Sequence, residues 1–151
     1  MVKILFVCLG NICRSPMAEC VMTDIVKKRG LQNEFCIASA ATSFEEEGNP
    51  IYPPARRKLV EKGVEVLAHR ATVIERSDKD KYDLIIAMEE RNVSNIYRII
   101  GSSDKVHRLL DFSAQPRDIA DPWWTGDFER TYNDIVEGCE ALVDYLEKRR
   151  I

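Results

Sequence analysis

Cys8-Leu9-Gly10-Asn11-Ile12-Cys13-Arg14-Ser15 follows the apolar run Ile4-Leu5-Phe6-Val7 and leads into Pro16, and the rest of the chain is read outward from it. Four consecutive apolar residues, β-branched at both ends, describe a buried strand. Ser15 is expected to cap a helix, with Pro16 at the first helical position, where a missing N–H costs nothing. The segment therefore reads as a strand, a tight loop holding a thiol and a guanidinium, and a helix start. Amides in such a loop, together with the helix dipole, form a cradle for a phosphate-sized dianion. Arg14 lies six residues after Cys8, close enough for its fork to grip two oxygens of an anion held above the sulfur. The same positive surroundings favour a thiolate.

The bulk of the sequence is compatible with this. In 151 residues, 45% are apolar and 31% charged, and the net charge is −3. That length suits a single domain over residues 1–151, and the charge argues against a general nucleic-acid binder. No apolar run approaches the ~20 residues of a membrane span. Met1-Val2-Lys3 runs directly into the first strand, so no cleaved signal peptide is expected. Five irregularly spaced cysteines suggest free thiols in a reducing cytoplasm, with Cys20, Cys36 and Cys139 as inert core groups.

Downstream, Ala18, Val21, Met22, Ile25 and Val26 recur at helical spacing, and Lys27-Lys28-Arg29-Gly30 is a stop signal. Strands are expected at Phe35–Ala38, Asp83–Met88 and Val106–Leu109, and helices at about 54–62 and 90–100. A last helix carries Phe128, Tyr132, Ile135, Val136, Cys139, Leu142, Val143 and Leu146 on one face. Strands alternating with helices imply an α/β fold: a doubly wound, four-stranded parallel sheet with helices on both faces. Ligands of such sheets sit at the carboxyl ends of strands, where Cys8 falls. Asp121, in Ala120-Asp121-Pro122-Trp123-Trp124, is a candidate general acid, although Asp-Pro also opens turns. Of the two adjacent indoles, at least one is expected to be exposed. Phe44 is a candidate second rim aromatic, and Glu45-Glu46-Glu47 would repel acidic peptides.

The full string Cys8-Leu-Gly-Asn-Ile-Cys-Arg-Ser-Pro-Met-Ala-Glu19 resembles the signature of the low-molecular-weight protein tyrosine phosphatases. The resemblance implies their fold, with Cys8 as nucleophile, Arg14 as clamp and Asp121 as general acid. It also implies a phosphate-binding loop of Leu9, Gly10, Asn11, Ile12, Cys13 and Ser15. Asn11 would be braced by Ser39, and Ser15 would donate its hydroxyl to the Cys8 sulfur. Trp123 and Trp124 would form an aromatic wall where Tyr is more usual, and Cys13 would be a reversible disulfide partner for Cys8. The chain departs from the family at Tyr52 and Pro54, where Asp and Arg are usual, which questions how the 43–54 loop is anchored. Glu89 stands where relatives have Asp.

The implied reaction hydrolyses a phosphotyrosine-bearing protein or peptide through a phosphocysteine, releasing inorganic phosphate. It calls for no metal or cofactor, no nucleic acid, no membrane and no second subunit. A related branch removes phosphate from arginine and carries Thr at the position of Ile12, so Ile12 favours an aromatic substrate by analogy. Arsenate reductases on this scaffold need a cysteine pair near residues 80–90, and the chain has no cysteine between Cys36 and Cys139. A non-catalytic phosphate binder would not need both Cys8 and Asp121. A nucleotide-binding Gly-rich Lys-Ser/Thr loop is missing.

Overall fold

Strand β1 (Val2–Cys8) is the axis of the molecule, and from Ile4 to Cys8 every residue is buried. The computed structural model describes residues 1–149. Side chains alternate across the sheet: Ile4, Phe6 and Cys8 enter one core cluster, Leu5 and Val7 the other. A strand covered on both faces has no polar side, which is why its sequence is continuously apolar. Each large side chain fully buried in this way contributes about 1.5–3 kcal/mol.

Helix α1 (Arg14–Lys28) follows the loop, and β2 (Phe35–Ala41) pairs in parallel with β1. Next come α2 (Pro53–Glu61), the single-turn α3 (Asp78–Lys81), β3 (Leu84–Ala87), α4 (Glu90–Ile100) and β4 (Val106–Arg108). A 3₁₀ turn at Leu109–Phe112, the short α5 (Pro122–Thr125) and the long α6 (Phe128–Arg149) complete the chain. All strand pairs are parallel, in the order β2-β1-β3-β4. Helices α1 and α6 cover the Phe6 face, and α4 covers the Val7 face. The expected doubly wound sheet is present, with β2 three residues longer than predicted and α3 and α5 unanticipated.

Strand order changes direction between β1 and β3, which opens a crevice at their carboxyl ends. The loops after Cys8 and after Ala87 both enter that crevice. Directly after β4, the 3₁₀ turn packs hard against α6. A Cβ built on Gly138 would stand 2.4 Å from Leu109 Cγ, so only glycine permits this approach. Among the described residues no helix is long and apolar enough to cross a membrane.

Candidate active site

The alternation of β1 sends Cys8 to the α1 side, directly under the start of that helix. The loop turns back at Asn11, whose φ of 59° is left-handed, a conformation Asn tolerates better than most residues. Asn11 is fully buried and nearly saturated with partners. Its Nδ2 donates to Ser15 Oγ at 2.8 Å and to Ser39 Oγ at 3.0 Å, and its Oδ1 accepts from the Thr72 amide at 3.1 Å. Its carbonyl lies 2.6 Å from His69 Nε2, and because a carbonyl only accepts, that nitrogen carries the hydrogen. Ser39 in turn donates to Glu19 Oε1 at 2.6 Å, a carboxyl that burial pushes above its usual range despite Ser39 and His69.

The Cys8 sulfur receives the Asn11 N–H at 3.3 Å and lies 3.0 Å from Ser15 Oγ. Ser15 is therefore not the helix cap its sequence position suggests. The helix begins two residues earlier than expected, at Arg14, and the Cys13 carbonyl accepts the first helical bond, from Met17. No side chain caps α1, and the Ser15 hydroxyl turns to the thiol instead. An uncapped helix N-terminus beside a thiol is suited to an anion.

Arg14 is almost completely buried. Its Nη1 donates to Glu89 Oε2 at 2.6 Å and to the Ile119 carbonyl at 2.9 Å, while Nη2 lies 3.3 Å from Asp121 Oδ2. Burial opposes the charge, but Cys8, Asp121 and Glu89 together hold the guanidinium above its ordinary value. Both N–H donors of Nη1 are spent on protein and Nη2 also faces Asp121, so Nε and the remaining Nη2 hydrogen are the donors left for the oxygens of a ligand. Glu89 is oriented at the N-terminus of α4 by a reciprocal capping arrangement with Asn92. Glu89 thus keeps a carboxylate on Arg14 at the position where relatives have Asp.

Asp121 caps α5, accepting the Trp123 amide at 3.0 Å on Oδ1. Cys8, Leu9, Gly10, Ile12, Cys13, Arg14, Asp121, Trp123 and Trp124 surround one pocket of about 150 Å³. Both indoles are exposed: Trp123 leans on Tyr52 with ring centroids 4.7 Å apart, and Trp124 is 79% accessible. Phe44 does not line this pocket. It starts a surface turn and is 71% exposed, and Ser43, Glu45 and Glu46 form that wall instead. The 43–54 loop is anchored without the usual Asp and Arg. Backbone bonds tie Ser43 to Leu9, Gly48 to Ala71 and Tyr52 to Ile12, and the Tyr52 ring packs against Trp123 and Phe128.

Cys13 is buried, and burial, Cys8 and Asp121 push its thiol up. Cys20 and Cys139 are core thiols, Cys20 raised to about 11 by burial. Cys36 is not: β2 is an edge strand, and Cys36 is exposed on it. Bracing roles for Glu19, His69 and Thr72 were not read from the sequence. His69 and Thr72 reach Asn11 from 58 and 61 residues away, and Glu19 reaches it through Ser39 from α1.

Residues 3–150 match the family model for low molecular weight phosphotyrosine protein phosphatase. The chain is 36% identical to the low molecular weight protein-tyrosine-phosphatase YfkJ of Bacillus subtilis, over 99% of each chain. It is 35% identical to the protein-tyrosine-phosphatase PtpA of Staphylococcus aureus, over 98% of this chain and 96% of that one. The crystal structure of Bacillus subtilis YfkJ superposes with a TM-score of 0.96 at 35% identity, covering 100% of this chain and 98% of its own. A thiol, an uncapped helix and a guanidinium arranged for a dianion are thus matched along the whole sequence, and the chain belongs to the low molecular weight phosphotyrosine protein phosphatase family.

Proposed function

We propose that the protein hydrolyses phosphotyrosine in proteins and peptides by double displacement at Cys8. The observation that carries this reading is the Cys8 sulfur, which accepts the Asn11 amide and meets the Ser15 hydroxyl in a pocket shared with Arg14 and Asp121. The thiolate attacks phosphorus, an S–P bond forms, and the P–O bond to the phenol breaks. Asp121 gives its proton to the departing oxygen. It then takes a proton from water as that water attacks phosphorus, releasing phosphate and restoring the thiolate. Throughout, the free edge of Arg14 and the loop amides hold the non-bridging oxygens, on which charge develops. Ser15, by hydrogen bonding to sulfur, favours the thiolate both as attacking and as leaving group.

Ile12 and the two indoles support an aromatic ester. They offer apolar and π surfaces to a phenol ring, and a guanidinium substrate would gain less from Ile12. The test is turnover of matched phosphotyrosine and phosphoarginine peptides, with acid-quench trapping of the enzyme. Phosphotyrosine is expected to turn over faster, with phosphate caught on Cys8. Faster phosphoarginine turnover, or no phosphate on Cys8, overturns the reading.

Cys13 is the proposed redox partner. Peroxide converts the Cys8 thiolate to a sulfenic acid, and the Cys13 thiol displaces water from it to give a disulfide. Thiol reductants are then expected to restore activity in the native protein and not in Cys13→Ser.

A further inference from the structure

From Ser113 to Asp121 the chain is a strap with no helix or strand, and it delivers Asp121 to the pocket. Adjacent residues tie it in different directions. Ile119 is fully buried and its amide bonds the Met88 carbonyl at 2.9 Å, while Thr131 Oγ1 donates to the Ala120 carbonyl at 3.3 Å. Asp118 accepts from the Glu90 amide and from Arg108 Nη1. Arg117 turns the other way, onto α6. Its Nη1 donates to Glu137 Oε2 at 3.0 Å and to the Gln115 carbonyl at 2.8 Å. Its Nη2 donates to Glu137 Oε1 at 3.0 Å and to Asp134 Oδ1 at 2.8 Å. Glu137 is gripped by both nitrogens of the fork and also accepts from Ser113 Oγ. One cation therefore binds the strap to itself and to two turns of α6, four residues before Asp121.

We propose that Arg117 is a positioning residue for Asp121: its fork on Glu137 and Asp134 fixes the strap, and the strap fixes where the carboxyl meets the departing oxygen. This rests on Asp121 being the general acid. Arg117 lies outside the pocket and touches no reacting atom. Its influence is selective because Cys8, Asn11 and Ser15 are braced by other groups. Misplacing a catalytic group by about 1 Å can cost up to 10²-fold, and the strap delivers the acid. Its bond to the clamp, from Arg14 to the Ile119 carbonyl, is pinned separately by the Ile119 amide on Met88 and by Glu89 on Arg14.

The experiment compares kcat/KM on aryl phosphates running from 4-nitrophenyl phosphate, whose phenol leaves easily, to phenyl phosphate, whose phenol needs the proton. Arg117→Met is expected to lose about 10-fold on phenyl phosphate and less than about twofold on the nitrophenyl ester, a fraction of the full acid contribution. Arg117→Lys is expected to fall between Arg117→Met and the native protein, and inhibition by inorganic phosphate to stay unchanged. Glu137→Gln, which keeps the side-chain shape, is expected to steepen the dependence in the same sense, and it serves if Arg117→Met does not fold. An equal loss on every ester, or a lowered melting temperature with no change in the dependence, overturns the proposal. Asp121→Asn is the control. If it steepens the dependence and the Arg117 and Glu137 variants do not, the positioning role alone fails. If Asp121→Asn leaves the dependence flat, the general-acid reading fails and the positioning role falls with it.

Discussion

The loop at residues 8–15 and the strap at residues 113–121 bring the two reacting groups to one pocket, but they are held in opposite ways. The loop is short, contiguous and buried, and its inner braces are neutral: Asn11, Ser15, Ser39 and the Thr72 amide. Ionisable groups stand one step back from these, Glu19 behind Ser39 and His69 on the Asn11 carbonyl, and within the loop the clamp Arg14 is the residue held by an ion pair, with Glu89. The strap has a buried Ile119, but its flanks are fixed by partly exposed ions: Arg117 to Glu137 and Asp134, Asp118 to Arg108. Neutral buried bonds ignore salt, and exposed ion pairs do not. A nucleophile whose geometry is rigid is thus paired with an acid whose support is softer.

The largest break in that comparison removes the reacting groups themselves. Cys8→Ser is expected to lose turnover by a factor on the order of 10⁴–10⁶ on every ester, because the nucleophile serves all substrates equally. Asp121→Asn is expected to lose about 10²–10⁴, with the deficit growing as the leaving phenol becomes more basic. Steady-state and acid-quench kinetics on one ester series check both. If the two variants showed the same dependence on leaving group, loop and strap would not divide nucleophile from acid as described.

The same division explains what was legible in the sequence. Strand β1, the thiol, the arginine and the helix are contiguous, so periodicity and spacing were enough to place them. Cys8 and Arg14 needed no partner from elsewhere to be recognised. Ser15 was legible as functional and misread as a cap, because a hydroxyl near a helix start satisfies either role and only the fold reveals which. Cys36 was misread because an apolar run does not say whether its strand is central or at the edge. Asp-Pro and two tryptophans made Asp121 a candidate, and the family resemblance was needed to prefer an acid over a turn opener, a role it also fills by capping α5. Its supports were not legible, since Arg117, Asp134 and Glu137 are charged residues in a chain rich in charge, and their pairing is purely tertiary. Gly138 likewise reads as a blemish in a helix until Leu109 is found against it.

Gly138→Ala sharpens the comparison through packing. The added methyl, one helical position from Glu137, meets Leu109, which opens the 3₁₀ turn leading into the strap. Overpacking of this kind costs about 1–3 kcal/mol, and at about 2–4 °C per kcal/mol for a chain of this size a fall in melting temperature of several degrees is expected. The 3₁₀ turn runs directly into the strap at Ser113, whereas Cys8 is braced by Asn11 and Ser15. Residual activity is therefore expected to fall more on phenyl than on nitrophenyl phosphate, as thermal melts and the same ester series would report.

The smallest effect separates ions that serve the strap from ions that only stabilise. Arg117 and Ser113 hold the Glu137 carboxyl below its ordinary value of 4.5. A carboxyl held lower in the folded chain than in the unfolded one adds stability that is full above that ordinary value and is lost as pH falls through the folded value. Glu129, clamped by Lys62 and Lys58 between α6 and α2, is held down to about 2 and behaves in the same sense. Both Glu137→Gln and Glu129→Gln are therefore expected to flatten the loss of stability on acidification below about pH 4.5, the Glu137 contribution being at most about 1 kcal/mol because the pair is partly exposed. Only Glu137→Gln is expected to change the leaving-group dependence, since Glu129 has no bond to the strap. Denaturant melts across pH, read beside the ester series, check this. Should Glu129→Gln steepen the dependence as much as Glu137→Gln, the acid would be responding to the general stability of α6, and the strap would have no separate part in holding it.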